Sequence, residues 1–313
     1  LYTVYCKRHF EECNSGRTYD KAVTKDILSF AGWSFLGNFG ITCRDQVTNI
    51  LFNVFFQTPV VNAARGIATQ VSGIISTFAT NITMAINPQI TKNYSSGNIK
   101  ESVSLVYMGC RASFYMLTLI VVPFVVNVDY VLELWLERVP ENTSLFLYFI
   151  LGVALIYSLS QPITVAIQAT GDIKAFQIWI FSLMVLEVCL TYLVLWITGS
   201  LVYALVPSVV VNFISTAVRM ALVKKKVGAY SFRQYAFDVV FRCVMVLLIS
   251  CVVAIYIHYM IGYESFVAFL GECVVLAVST IVIILLFGLK RDERLQLVSK
   301  LTMSVKRLNG RRV

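Results

Sequence analysis

Runs of about 20 apolar residues recur along this chain, broken by short charged or polar stretches, and that pattern restricts it to one kind of fold. A run of this length crosses a bilayer as a helix, whereas the strands of a membrane barrel would be short and alternating. The stretches are 27–52, 60–86, 106–127, 145–169, 174–198, 201–223, 239–261 and 266–288. Of the 313 residues, 58% are hydrophobic and only 14% charged, well below the roughly 25% charged in a soluble domain. The expected fold is an all-α integral membrane protein with about eight transmembrane helices.

The first two stretches are too polar for helices that face only lipid. In the first, Ser34, Asn38, Thr42, Asp45, Asn49 and Asn53 share an arc of roughly 100° at the helical period, with Arg44 to one side. In the second, Asn62, Arg65, Thr69, Ser72, Ser76, Thr80, Thr83 and Asn87 share an arc of roughly 80°. Hydroxyls and amides commonly join packed membrane helices. Ionisable groups at such depth are costly and face a bundle interior or a water-filled cavity. Arg44, Asp45 and Arg65 therefore predict a hydrated surface inside the bilayer. In the fifth stretch, Glu187 is either a proton-exchanging carboxyl or a protonated structural one; Glu272, near the outer end of the eighth, reads as solvated.

Charge fixes the topology. Most of the 26 Lys and Arg residues lie before Asp26, at Lys92, Lys100, Lys174, Lys224–Lys226 and Arg233, or in the tail from Lys290. The opposite loops hold Arg138 beside Asp129, Glu133, Glu137 and Glu141. By the positive-inside rule both ends are cytoplasmic, so the net charge of +9 is a topology signal and gives no case for nucleic acid. Leu295, Val298, Leu301, Val305 and Leu308 predict an amphipathic helix on the inner leaflet. Pro123, Pro162 and Pro207 fall inside spans, where each permits a kink. The loop at 128–144 carries Leu132, Leu134, Trp135 and Leu136, which suggest an interfacial segment.

Catalytic chemistry is thinly represented. His9 and His258 lie in different regions, and neither a P-loop nor a dinucleotide-binding glycine motif occurs. The eight cysteines form no CxxC pair and read as free, buried small hydrophobes rather than metal ligands. No cofactor, metal or catalytic residue is expected, and the residues point to a carrier. The opening Leu1-Tyr-Thr-Val-Tyr-Cys6 resembles the tail of a preceding helix, so the chain is expected to be the latter part of a longer protein.

Ile27-Leu-Ser-Phe-Ala-Gly-Trp33, Arg44-Asp-Gln46, Val60-Val-Asn-Ala-Ala-Arg-Gly-Ile-Ala68, Asn87-Pro-Gln-Ile-Thr-Lys-Asn-Tyr94 and Gln168-Ala-Thr-Gly-Asp-Ile-Lys174 resemble the Wzx-type polysaccharide flippases. These belong to the multidrug, oligosaccharidyl-lipid and polysaccharide exporters. The resemblance implies a basic cytoplasmic segment at 1–26, a six-helix lobe at 27–223, a basic cytoplasmic loop at 224–238, a C-terminal helix pair at 239–288 and a basic amphipathic cytoplasmic tail at 289–313. The resemblance makes 27–223 the family's second lobe, so that the first lobe is expected to be missing here. It also implies transfer of an undecaprenyl-pyrophosphate-linked oligosaccharide across the bacterial inner membrane, for O-antigen, lipopolysaccharide or capsule export, with a proton or sodium as coupling ion. Other polysaccharide-assembly membrane proteins are possible partners.

For such a cargo, Arg44 and Arg65 suit pyrophosphate oxygens, and Asn38, Asn49, Asn62 and Thr69 suit sugar hydroxyls. Asp45 or Glu187 is the candidate coupling site, although Asp45 also suits a role as counter-charge to an arginine. Three alternatives stay open: an organic-cation or multidrug exporter on the same fold, a membrane glycan polymerase or ligase, and a non-transporting remnant.

Overall fold

The computed structural model describes residues 2–10, 13, 20–261, 266–290 and 293–294. The amphipathic helix expected at Leu295–Leu308 lies outside the described residues. Among those described the protein is helical throughout: α1 Tyr2–His9, α2 Lys21–Phe56, α3 Pro59–Ser95, α4 Ile99–Val126, α5 Val128–Trp135, α6 Thr143–Ser158, α7 Gln161–Ala169, α8 Lys174–Thr198, α9 Leu201–Lys226, α10 Phe232–Tyr235, α11 Arg242–Ile261 and α12 Phe266–Ile283. Six helical stretches are long and apolar enough to cross a membrane: 99–126, 143–169, 174–198, 201–226, 232–260 and 266–288. The two remaining spans expected from sequence correspond to α2 and α3. With 36 and 37 residues they are the longest helices described, and their polar stripes lower their hydropathy.

Local chemistry sets the ends of this pair. Asp20 caps α2, its Oδ1 accepting from the backbone N–H of Ala22 at 2.8 Å and of Val23 at 3.3 Å. The first span thus begins inside what reads as the basic N-terminal segment. At the far end Gln57 adopts φ 49°, and its N–H donates to the Asn53 carbonyl at 3.0 Å. Thr58 then caps α3, with Pro59 in its first turn. The chain reverses at Gln57-Thr-Pro59.

Proline acts differently at each place. Pro88, Pro123 and Pro207 lie inside continuous helices. Pro162 does more than kink a span: the fourth span is two helices, α6 and α7, separated at Leu159–Ser160. The polar groups freed by the break find partners, as they must in an apolar medium. Tyr235 Oη donates to the Leu159 carbonyl at 2.9 Å, and Arg219 Nη1 donates to Ser160 Oγ at 2.7 Å.

The core lies between α3, α4, α6 and α7, where Ala64, Ala68, Ile90, Val106, Leu117, Phe146, Leu147, Leu151 and Ile163 are buried. α2 is packed mainly on α8 and joins the core at its C-terminal end through Phe52. Only Gly37, Gly40 and Phe52 of α2 are buried. The glycines permit the close approach: a Cβ at Gly40 would come 2.8 Å from Phe181 Cδ2, and one at Gly37 would collide with the Gln177 side chain.

α11 and α12 pack on α4, and the segments just before α11 and just after α12 are tied to it by charge. Arg111, buried on α4, pairs with Glu293 and donates to the Asp238 carbonyl at 3.2 Å. Lys290 reaches Asp238 at 2.6 Å. Tyr115 Oη donates to the Gly288 carbonyl at 2.9 Å.

Two expectations are corrected here. Glu272 is not solvated: it is fully buried, His258 Nδ1 lies 2.8 Å from its Oε1, and its Oε2 has no partner. The cysteines are free but not uniformly buried. Only Cys110 and Cys243 are, while Cys13, between α1 and α2, and Cys189 are exposed; Cys189 lies on α8, where an apolar side chain of a membrane helix faces lipid as readily as protein. In the segment 128–144, α5 buries Val128 and Leu132 while Leu134 and Trp135 stay exposed.

Candidate functional site

α2, α3, α6, α8 and α9 border an open cavity of about 710 Å³. α2 contributes Arg44, Asp45 and Asn49, α3 contributes Asn62, Arg65 and Thr69, and α8 contributes Glu187. A second cavity of about 460 Å³, toward the Lys226 end of α9, contains Asn38, Gln177 and Arg219. Arg44, Glu187 and Asn212 line both, so the two spaces meet at these residues. All eight candidate residues picked from sequence thus stand on one cavity or the other.

The charged groups form a chain. Arg44 Nη2 lies 3.0 Å from Asp45 Oδ1, and Arg44 Nη1 lies 3.5 Å from Glu187 Oε2. Asp45 Oδ1 is also 3.8 Å from Arg65 Nη2. Arg65 donates to Asn49 Oδ1 and, at 3.4 Å, to the Asp45 carbonyl, and it lies over the Phe52 ring at 5.9 Å. Two guanidiniums and two carboxylates therefore balance formally.

Their exposure is graded. The Glu187 side chain is 11% exposed, those of Arg65 and Arg44 17% and 26%, and that of Asp45 45%. Ions in an apolar region persist only when paired and hydrogen-bonded. Here each guanidinium has a carboxylate, and its remaining donors border an open space.

Threonine recurs beside the charges. Thr48, Thr69 and Thr191 donate to the carbonyls of Arg44, Arg65 and Glu187, one helical turn back, at 2.8, 2.8 and 2.9 Å. Each hydroxyl satisfies its proton on its own helix and keeps oxygen lone pairs for another donor.

The structure modifies two sequence expectations. Arg44, set to one side by the stripe arithmetic, holds the central position because Glu187 approaches from α8. The α3 stripe is also divided. Asn62, Arg65, Thr69 and Ser72 line the cavities, whereas Thr83 is buried against Ser113 at 3.0 Å and serves packing. Asn62 spans both roles: its Nδ2 donates to the Asn49 carbonyl at 3.1 Å, which ties α3 to α2.

A third polar stripe escaped the sequence reading. On α9, Ser208, Asn212, Ser215 and Arg219 recur every three or four residues, and all four line the cavities. The signal was present in the spacing but lay beside the Lys224–Lys226 cluster, which draws attention to topology. Outside the spans, Lys226 hydrogen-bonds Asp172 and lies 2.8 Å from its Oδ2. That contact holds the Asp172 carboxyl below the usual carboxylate range.

The MatE family model matches residues 23–193, more than half of the chain. The chain belongs to that family, within the multidrug/oligosaccharidyl-lipid/polysaccharide exporter superfamily, whose members are transporters. The match takes in the polar faces of α2 and α3 and reaches Glu187. No curated protein and no solved structure matches the chain.

Proposed function

We propose that this MatE-family exporter is a flippase for an undecaprenyl-pyrophosphate-linked oligosaccharide, moving the head group from the inner to the outer leaflet of a bacterial cytoplasmic membrane. The observation that carries this reading is the paired-arginine junction on the larger cavity. Arg44 and Arg65 present guanidinium donors to one space, and guanidinium forks match phosphate oxygens. Asn49, Asn62 and Thr69 border the same space and offer the modest donors and acceptors that sugar hydroxyls need. The lipid tail stays in the bilayer, and the basic loops face the cytoplasm.

Coupling follows from the charge balance. A pyrophosphate competes with Asp45 and Glu187 for the arginines. Proton uptake by Glu187 removes one negative charge, frees Arg44 Nη1 from Oε2, and leaves the junction net positive for the anion. Proton release restores the pair and expels the cargo. Asp45 serves the same exchange where it meets Arg44 and Arg65.

Arg65→Ala abolishes surface polysaccharide in cells that depend on this carrier while membrane insertion is retained; normal polysaccharide in that strain would remove the assignment. Arg44→Ala, given its central position, has an effect of the same size.

A second reading has its own support. Phe52, Phe146 and Phe149 line the same cavity as Glu187, which suits a lipophilic organic cation, and about 710 Å³ lies within the ordinary range for drug-sized ligands, roughly 300–1,000 Å³. In that case Glu187→Gln stops dye efflux and Arg65→Ala spares it.

A further inference from the structure

Arg44, Arg65 and Arg111 each meet a carboxylate, in Asp45 and Glu187, Asp45, and Glu293 respectively. Arg219 has none among the described residues. It is 6% exposed on α9, its Nη1 donates to Ser160 Oγ at 2.7 Å, and its guanidinium lies over the Tyr157 ring at 5.1 Å. Its Nε has no partner. The Ser160 hydroxyl, which gives its own proton to the Tyr157 carbonyl at 3.1 Å, accepts from Arg219 but is neutral and supplies no counter-charge. A buried cation without an anion is expensive, and an ionisable group inside a membrane bundle marks a ligand path by default.

Its position gives the ligand. Arg219 lines the smaller cavity with Tyr157, Gln168, Gln177 and Ser215, and that cavity reaches Arg44 and Glu187. Asn212, which lines both cavities, stands seven residues before Arg219 on α9, and Lys226 ends α9 seven residues after it. At about 1.5 Å per residue each step is about 10 Å along the helix. Arg219 therefore lies between the basic end of α9 and the arginine junction.

We propose that Arg219 is a separate anion site that takes a phosphate oxygen of the head group in the smaller cavity, ahead of the Arg44–Arg65 junction. The incoming anion supplies the missing counter-charge. Because Arg219 has no competing carboxylate, this first capture needs no proton, whereas transfer to the junction displaces Asp45 or Glu187. The site rests on the anionic-cargo reading above and divides that cargo's path into a proton-independent and a proton-dependent step.

The test is calorimetric titration of inorganic pyrophosphate into the purified protein in nanodiscs of zwitterionic lipid, comparing wild type, Arg219→Gln, Arg219→Lys and Arg65→Gln. Loss of a charge-assisted hydrogen bond weakens binding by about tenfold or more. The expected result is that loss in Arg219→Gln, substantial recovery in Arg219→Lys, and residual binding in Arg65→Gln. Wild-type affinity in Arg219→Gln with binding abolished in Arg65→Gln overturns the second site and leaves the flippase reading standing. No binding by wild type overturns both. Should Arg219→Gln fail to fold, mass spectrometry of phenylglyoxal-treated wild type decides: protection of Arg219 by pyrophosphate supports the site, and unchanged modification overturns it.

Discussion

Arg111 and Arg44 are both arginines set in apolar helices, yet their surroundings differ in kind. Arg111 sits in a closed knot: its side chain is 3% exposed, it pairs with Glu293, and the neighbouring Asp238 is held by Lys290 at 2.6 Å. Arg44 borders a cavity and shares Asp45 with Arg65. In the knot Arg111 and Lys290 each have a carboxylate of their own. At the junction one carboxylate serves two guanidiniums beside an empty volume. The first arrangement joins the C-terminal helix pair to the rest of the protein, and the second leaves partners that a ligand can replace.

The largest effect expected from this difference is on stability. Arg111→Ala strands the partly buried Glu293 carboxylate and costs about 3–5 kcal/mol, the range for breaking a buried ion pair. Arg65→Ala costs about 1 kcal/mol or less, because Asp45 is half-exposed and keeps Arg44. Thermal melting in detergent checks both, and equal losses would erase the distinction between joint and site.

Geometry comes next. Gly40→Leu pushes α2 from α8 at Phe181, whose Cδ2 lies 2.8 Å from where a Cβ would stand, and draws Arg44 away from Glu187 with no polar group removed. Displacing a positioned group by about 1 Å can cost a hundredfold in rate, so transport falls by roughly tenfold to a hundredfold while the protein still inserts. Wild-type transport in this variant would show that the α2–α8 spacing is unimportant.

Much of this arrangement was legible in the sequence. Apolar runs place the helices, and the period of the polar residues identifies the faces of α2 and α3 that meet the cavity. Two kinds of information were not. The Arg44–Glu187 contact joins residues 143 positions apart, and no local pattern tells which face of α8 meets α2. The break before α7 depends on Tyr235 and Arg219 arriving from distant segments to satisfy it, so Pro162 alone reads as a kink. Arg219 is a different case, since its stripe on α9 obeys the same period as the other two.

Coupling offers a finer test. Glu187→Gln keeps the side-chain shape and removes the exchangeable charge. Transport down a cargo gradient is expected to survive and the response to an imposed proton gradient to vanish, both measured in liposomes. An undiminished response would move the coupling site to Asp45 or elsewhere.

The smallest effect belongs to the loop pair Lys226–Asp172. The Asp172 carboxyl is lowered in the folded protein, so its contribution is present above the usual Asp value of about 3.9 and disappears as pH falls through the lowered one. The carboxylate is 71% exposed. Screening therefore holds the cost of Asp172→Asn to roughly 0.5 kcal/mol or less at neutral pH, and melting at pH 7 and pH 3 measures it.

The central claim is that the Arg44–Arg65 junction carries an anionic head group across the membrane. Its most direct test is reconstitution in liposomes with a fluorescent undecaprenyl-pyrophosphate oligosaccharide, following arrival of the sugar in the opposite leaflet for wild type and Arg65→Ala. The expected result is translocation by wild type, faster under an imposed proton gradient, and none by Arg65→Ala at any gradient. Translocation by Arg65→Ala at the wild-type rate would contradict it.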